Sequence, residues 1–379
     1  MRILIAPTSF KGSLFPTDAA EAIAEGLHAG FPEVELMRAP LADGGEGTLQ
    51  LLRTTLDGRT KRVPVEDSLG RSTEASIALL PNGVAFVEMA QAAGLMLLDE
   101  DERDPMRASS FGVGQLITAA LDEGVREIWV GLGGSATVDG GLGMLHALGV
   151  ELCDRDGQAL PPGGRGLVKL ASLEASEWDR RLAHVDLKAL CDVDSVLLGP
   201  QGTKLYMPQK GATEEQIPEL SDGLARFADC VARAGERDVR DVPGAGAAGG
   251  MGAALAFLGA DLVSGSRFVM DALDVDRKLA SCDLVVTGEG TIDDQTLQGK
   301  SIGALADRCR SFGRPLVALC GSHMVDSADL QAQGIDAIFS IVSGPASRDA
   351  AMAEAERNLA KTSQNVGALV RAIAAAGPR

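Results

Sequence analysis

Residues 1–37 read MRILIAPTSFKGSLFPTDAAEAIAEGLHAGFPEVELM, and this stretch decides the fold class. Residues 3–6 are a short apolar run ending at Pro7, the pattern of a buried strand followed by a turn. Thr17 then offers a helix N-cap and Asp18 an acidic first turn. Ala19, Ala22, Ile23, Gly26 and Leu27 recur at helical spacing and give the helix one apolar face. Residues 34–37 are a second strand. Strand, loop, helix and strand in succession open a parallel sheet covered by helices, because a parallel pair needs a crossover between its strands.

The same rhythm returns at the other end of the chain. A strand over 284–287, a helix over 301–311, strands over 315–319 and 337–341, and a closing helix over 347–375 alternate there. Residues 60–90 follow another grammar. Strands at 62–65, 75–80 and 84–89 are joined by turns at Leu69-Gly70 and Pro81-Asn82-Gly83, which leaves room for antiparallel hairpins only. A helix over 113–122 and a strand over 128–130 follow. Further strands are expected at 150–153, 188–191 and 204–206, with Pro161-Pro162-Gly163-Gly164 as a loop. The expected fold is therefore α/β. A parallel-sheet domain forms from residues 1–60 and 275–379, and a mixed-sheet domain is inserted over 61–274. There is no internal repeat.

Bulk properties bound the function. The net charge of −18 opposes nucleic-acid binding, so the cations of any anion site must be local and few. The six cysteines form no C-x-x-C pair, which argues against a zinc site and fits a reducing cytoplasm. The first apolar run is too short for a signal peptide or a membrane span. The 46 glycines exceed the usual share and cluster at 44–47, 131–143, 244–252 and 288–290, as where a backbone approaches a ligand.

Five segments set glycine or polar residues after expected strands, the edge at which open α/β sheets bind ligands. Thr8-Ser9-Phe10-Lys11-Gly12-Ser13 offers a lysine among hydroxyls, suited to an anion. Ala42-Asp43-Gly44-Gly45-Glu46-Gly47-Thr48 holds two carboxylates on a glycine chain. Gly131-Leu132-Gly133-Gly134-Ser135-Ala136-Thr137-Val138-Asp139-Gly140-Gly141 has the successive N–H groups of an anion cradle. Pro243-Gly244-Ala245-Gly246-Ala247-Ala248-Gly249-Gly250 fits ligand approach and close helix packing about equally. Asp283–Asp294 delivers Glu289 and Asp293 on a Thr-Gly-Glu-Gly turn, oxygen ligands suited to Mg²⁺. Arg71 and Lys210 add basic residues in glycine-rich surroundings.

Two motifs mislead. Gly299-Lys300-Ser301 ends like a P-loop, but Asp294 stands where G-x-x-x-x-G-K needs glycine. The pattern G-x-G-x-x-G/A matches at 131–136 and 244–249, the first with Glu151 about twenty residues on. An NAD(P)-dependent dehydrogenase of a small hydroxy acid is thereby the alternative activity, and a binding-only protein a third. The four histidines (28, 146, 184 and 323) lie in unrelated contexts, and no hydrolase nucleophile–base pair is evident.

Taken together the segments resemble the bacterial glycerate kinases of the two-domain, non-P-loop type. The resemblance lies in Ile-Ala-Pro-Thr-Ser-Phe-Lys-Gly-Ser (5–13), Ala-Asp-Gly-Gly-Glu-Gly-Thr (42–48), Gly-Leu-Gly-Gly-Ser-Ala-Thr (131–137), Met-Pro-Gln-Lys-Gly-Ala (207–212), Pro-Gly-Ala-Gly-Ala-Ala-Gly-Gly (243–250) and Thr-Gly-Glu-Gly (287–290). It implies a flavodoxin-like parallel-sheet domain with the mixed-sheet α/β domain inserted, and ATP, Mg²⁺ and D-glycerate, with 2-phosphoglycerate the favoured product; self-association is left open. One departure stands out, since Asp194-Ser195-Val196 follows Cys191-Asp192-Val193 where the family has an Asn-Pro turn. Phosphoryl transfer asks for positioning and charge neutralisation. Asp192, at a strand end, is the expected base, with Asp43 and Asp139 as rivals and Lys11 assisting. Ser9, Glu46, Arg71, Gly133, Gly134, Ser135 and Lys210 are the expected substrate or nucleotide contacts, and Glu289 and Asp293 the metal ligands.

Overall fold

The structure is a computed structural model that describes residues 1–174, 178–234, 238–293, 296 and 300–376. Its strands are β1 (Arg2–Ile5), β2 (Glu35–Arg38), β3 (Arg59–Glu66), β4 (Ser72–Leu80), β5 (Val84–Glu88) and β6 (Glu127–Gly131). They continue as β7 (Glu151–Cys153), β8 (Ser172–Glu174), β9 (Asp186–Leu190), β10 (Asp261–Val263), β11 (Leu284–Ile292), β12 (Leu316–His323) and β13 (Ala337–Ser340). Contacts divide the chain into two compact units, Met1–Ala42 with Ser266–Arg379, and Asp43–Gly265.

The first unit is a five-stranded, wholly parallel sheet in the order β2-β1-β11-β12-β13. Counted within the unit this is 2-1-3-4-5, the flavodoxin-like order. The expected early strand takes the central place because Ile3, Leu4 and Ile5 are fully buried, and it pairs in register with Leu284 to Val286. The helices Pro16–Gly30 and Ala355–Ala376 pack backbone to backbone. A Cβ on Gly26 would stand 2.1 Å from the Ala360 carbonyl oxygen, and one on Gly30 would stand 2.2 Å from that of Gln364. Thr17 does not cap the first helix. Phe15 holds the N-cap position and Pro16 the first turn, where its missing N–H costs nothing. The closing helix is two, Arg348–Ala353 and Ala355–Ala376, interrupted at Glu354 (φ −103°, ψ 9°).

The second unit holds a six-stranded mixed sheet, β10-β9-β6-β5-β4-β3. β3, β4 and β5 form the expected antiparallel meander, and β5, β6, β9 and β10 run parallel. The helix Phe111–Leu121 makes the crossover from β5 to β6 and buries Val113, Leu116 and Ile117. β7 and β8 pair as a separate two-stranded ribbon. The expected strand at 204–206 is instead a short helical turn, Thr203–Tyr206. Leu205 N–H donates to the Gly202 carbonyl and Met207 N–H to that of Lys204, bonds that close a turn rather than join a ladder, and Pro208 has no N–H to donate. The compact units divide at 42/43 and 265/266, where 60/61 and 274/275 were expected. The helix Thr48–Thr55 belongs with the second unit because the buried Glu88 at the end of β5 accepts from Leu49 N–H at 2.8 Å.

Candidate functional site

In a 2-1-3-4-5 sheet, ligands bind at the carboxyl ends of the strands flanking the order reversal, here β1 and β11. Past the end of β1 the chain stays zipped to β11: Ala6 N–H donates to Val286 O and Thr8 N–H to Gly288 O, each at 2.8 Å, while the Thr287 hydroxyl donates to Ala6 O at 2.7 Å. Phe10 is buried against Gly288 and exchanges backbone hydrogen bonds with Leu14. Lys11, Gly12 and Ser13 thus form the tip of a tight loop. Lys11 is exposed there and Ser9 half-buried.

Residues 287–290 are not the expected turn: they continue β11, with Gly288 and Glu289 paired to Leu319 and Cys320 of β12, and the structure brings Glu289 and Asp293 together beside this loop. The side chain of Thr296 lies between them: its hydroxyl donates to Glu289 Oε2 at 3.2 Å and its N–H to Asp293 Oδ1 at 3.1 Å. Burial pushes the Glu289 carboxyl up to about 7, against the Thr296 hydrogen bond and the charges of Lys11 and Lys300. A carboxylate so short of compensating charge suits a cation. No group of three or more His, Cys, Asp or Glu able to hold a metal occurs among the described residues. Two carboxylates fit Mg²⁺, which keeps several waters, better than an ion that needs a full protein cage. Thr296 and Lys300 were not expected as site residues. Asp294 and Gly299, which shaped the P-loop argument, lie outside the described residues.

In the second unit the carboxyl ends of β5, β6, β9 and β10 share one edge. The 43–47 segment lies along it. A Cβ on Gly131 would stand 2.1 Å from the Gly44 carbonyl oxygen, and one on Gly133 would stand 2.4 Å from Gly45 Cα, so the two glycine segments touch backbone to backbone. Asp43 is half-buried and closes its own turn by accepting from Gly45 N–H at 2.9 Å; Glu46 is exposed. Glu88 clamps the segment from below, and burial raises its pKa. No glycine or turn pattern marks Glu88, and it was not expected.

Asp192 follows β9 and is half-buried. The Ser264 hydroxyl, just past β10, donates to Asp192 Oδ1 at 2.8 Å, while Gly265 packs on the Asp43 carbonyl. Asp43 and Asp192 therefore stand on the same edge. The departure at 194–196 does not loosen it, since Ser195 is buried and its carbonyl accepts from Gly246 N–H at 2.9 Å. Asp139, the third candidate base, is buried completely. It accepts from Ser110 N–H, Ser110 Oγ, Gly141 N–H and Gly143 N–H, which assigns it to the scaffold. Among the described residues no hydrogen bond engages the backbone N–H of Gly133, Gly134 or Ser135, so the expected cradle is open to an anion. The 243–250 segment serves the packing reading: a Cβ on Gly249 would stand 2.0 Å from the Thr137 carbonyl oxygen.

Two expected anion contacts change character. Arg71 is engaged by Asp67 at 2.5 Å and Glu102 at 2.6 Å, so its charge is already compensated. Lys210 is buried rather than poised in solvent, and its ammonium donates to Ser135 Oγ at 2.6 Å and Thr137 O at 2.9 Å.

The dinucleotide pattern finds no support. After β6, residues 132–141 are irregular and helix begins at Leu142; Glu151 stands on the separate β7–β8 ribbon, and the second match follows no strand. No helix among the described residues is long and apolar enough to cross a membrane.

Comparison with known proteins adds independent information. The sequence model of the glycerate kinase family matches residues 3–371. A glycerate 2-kinase of Escherichia coli (strain K12) is 41% identical over 371 residues, covering 97% of either chain. A glycerate kinase of Bacillus subtilis (strain 168) is 42% identical over 374 residues, covering 98% of either chain. A solved structure from Salmonella typhimurium LT2, bearing the name glycerate kinase 2, superposes with a TM-score of 0.85 at 42% identity and 98% coverage of both chains.

Proposed function

The chain belongs to the glycerate kinase family, and from that premise we propose how its residues carry the reaction and which product they form. It is an ATP-dependent kinase acting on glycerate. The proposed reaction takes D-glycerate and Mg²⁺-ATP to 2-phosphoglycerate and ADP; the name of the Escherichia coli relative supports the 2-position.

The observation that carries this reading is Asp192 at the carboxyl end of β9, oriented by Ser264, on one edge with Asp43 and the open N–H groups of Gly133–Ser135. As the bond from the glycerate 2-oxygen to the γ-phosphorus forms and the bridge to the β-phosphate breaks, Asp192 takes the hydroxyl proton and ADP leaves. Such general-base assistance contributes ~10²–10⁴-fold. Asp43 shapes its own loop through the bond to Gly45 and is the second candidate for the role. The glycine loop holds an anionic group of a substrate by backbone donors, worth most in a site closed to water. Lys11 and Ser9 meet another beside Glu289.

Glu289 and Asp293 would hold Mg²⁺, with Thr296 keeping the two carboxylates in register. When bound, Mg²⁺ neutralises the charge on the transferring phosphoryl group.

Phosphorus NMR of the product tests the reading. Transfer to the 2-hydroxyl gives a phosphorus signal split by one proton; transfer to the 3-hydroxyl gives one split by two. A doublet formed from D-glycerate, ATP and Mg²⁺, and abolished by chelation, is expected. A triplet overturns the product, and turnover that survives chelation overturns the metal.

A further inference from the structure

We propose that Lys210 is a positioning residue: by donating to Ser135 Oγ and Thr137 O it fixes residues 135–137 and turns the Ser135 hydroxyl proton toward an anion seated on the N–H groups of Gly133, Gly134 and Ser135. This rests on the reading of that loop as an anion site.

The argument begins with how the chain aims Lys210 inward. Pro208–Lys210 is a single helical turn ended by Gly211 at φ +93°. A Cβ on Gly211 would stand 2.2 Å from the Arg103 carbonyl oxygen, so the turn is pressed against that backbone and the lysine is carried beneath the glycine loop. A buried ammonium is costly unless its protons are used. Two of its three donors are met, by Ser135 Oγ and Thr137 O.

The direction of these bonds matters. An ammonium donates and cannot accept, so Ser135 Oγ must accept from Lys210 and present its own proton elsewhere. Its side chain has no other bond among the described residues, and its neighbours Gly133 and Gly134 carry the unengaged N–H groups. A neutral amine has a lone pair, would accept from Ser135, and would turn the hydroxyl proton inward. The cradle would then lose one of its donors.

The ionisable groups around Lys210 set when this happens. Burial holds its pKa down to about 7, while the charge of Asp139 pulls upward. As pH rises through neutrality Lys210 loses its proton, and the affinity of the loop for an anion falls.

Steady-state kinetics of the full-length enzyme with ATP and D-glycerate, followed from mildly acid to alkaline pH, test the proposal. Wild type should show the KM of one substrate rising on the alkaline side. Ser135→Ala should raise that KM by roughly ten- to a hundredfold, the loss of one hydrogen bond to a charged group, and should abolish its alkaline rise. Lys210→Met should give the same rise, and the double variant should be no worse than either single one. Losses that multiply in the double variant, or an alkaline rise that persists in Ser135→Ala, overturn the proposal while leaving the anion loop in place. An active Ser135→Ala enzyme with wild-type KM values for both substrates overturns the anion loop itself. If Lys210→Met does not fold, the pH profile of Ser135→Ala still decides.

Discussion

Asp139→Asn separates scaffold from chemistry most sharply. Asp139 Oδ2 accepts from Ser110 N–H at 2.8 Å, Ser110 Oγ at 2.7 Å and Gly143 N–H at 3.2 Å, and Oδ1 accepts from Gly141 N–H at 3.0 Å. All four bonds need an acceptor. Asparagine has one oxygen, which would take the Oδ2 place, and its amide would then face the N–H of Gly141 donor to donor. That orphans one buried donor, at about 1–3 kcal/mol, and removes the charge that strengthens the other three. Part of this is offset, because burial disfavours the Asp139 charge and raises its pKa. A net loss of about 2–4 kcal/mol follows. For a unit of this size that corresponds to a melting shift of roughly 5–15 °C. Thermal unfolding and steady-state kinetics on the same preparation are the assay. The expected result is a large drop in melting temperature, with the turnover of the folded fraction reduced by much less than the ~10²-fold typical of a lost base. A variant with wild-type melting and turnover down at least ~10²-fold would make Asp139 the base and refute the reasoning.

Asp192→Asn should behave inversely: turnover down at least ~10²-fold with melting nearly unchanged, and retained turnover would pass the role to Asp43. Glu289→Gln should raise the Mg²⁺ concentration needed for activity; an unaltered magnesium titration would remove its role as a ligand. In the metal-free protein Glu289 holds its proton more tightly when folded, so its contribution to stability is full below the ordinary carboxyl pKa and is lost as pH rises toward about 7. Unfolding measured across that window should show the slope in wild type and its reduction in Glu289→Gln. Arg71→Ala should leave the KM of both substrates within about threefold of wild type, because an arginine already paired with two carboxylates on the surface adds little; a tenfold rise would restore it as an anion contact.

Part of the candidate ligand edge was legible in the chain itself. The glycine segments at 42–48 and 131–137 could be placed on the ligand edge because apolar runs and turn residues act locally, over a few neighbours; 287–290 was expected as a turn and is strand, because β12 pairs with it. Asp192 was proposed the same way, as a polar residue just past a buried strand, whereas Glu289 was expected on a turn and lies inside β11. Thr17 and residues 204–206 misled because their local signals compete with nearby proline and glycine, and the closing of a turn decides between them.

The amino-acid order by itself determined the parallel first unit, the antiparallel meander over β3 to β5, and the acids and glycines that reach the ligand edge. Each of these depends on side-chain periodicity and on backbone freedom at particular residues. Only the tertiary structure decided what the charges do. Asp139 and Asp192 were both candidate bases by sequence, yet one is satisfied by four internal donors and the other is steered by Ser264, 72 residues away. Lys210 meets Ser135 across 75 residues, and Glu88 meets Leu49 across 39. The state of an ionisable group depends on burial and on the partners folding delivers to it. Those partners come from distant parts of the chain, so no local pattern can announce them.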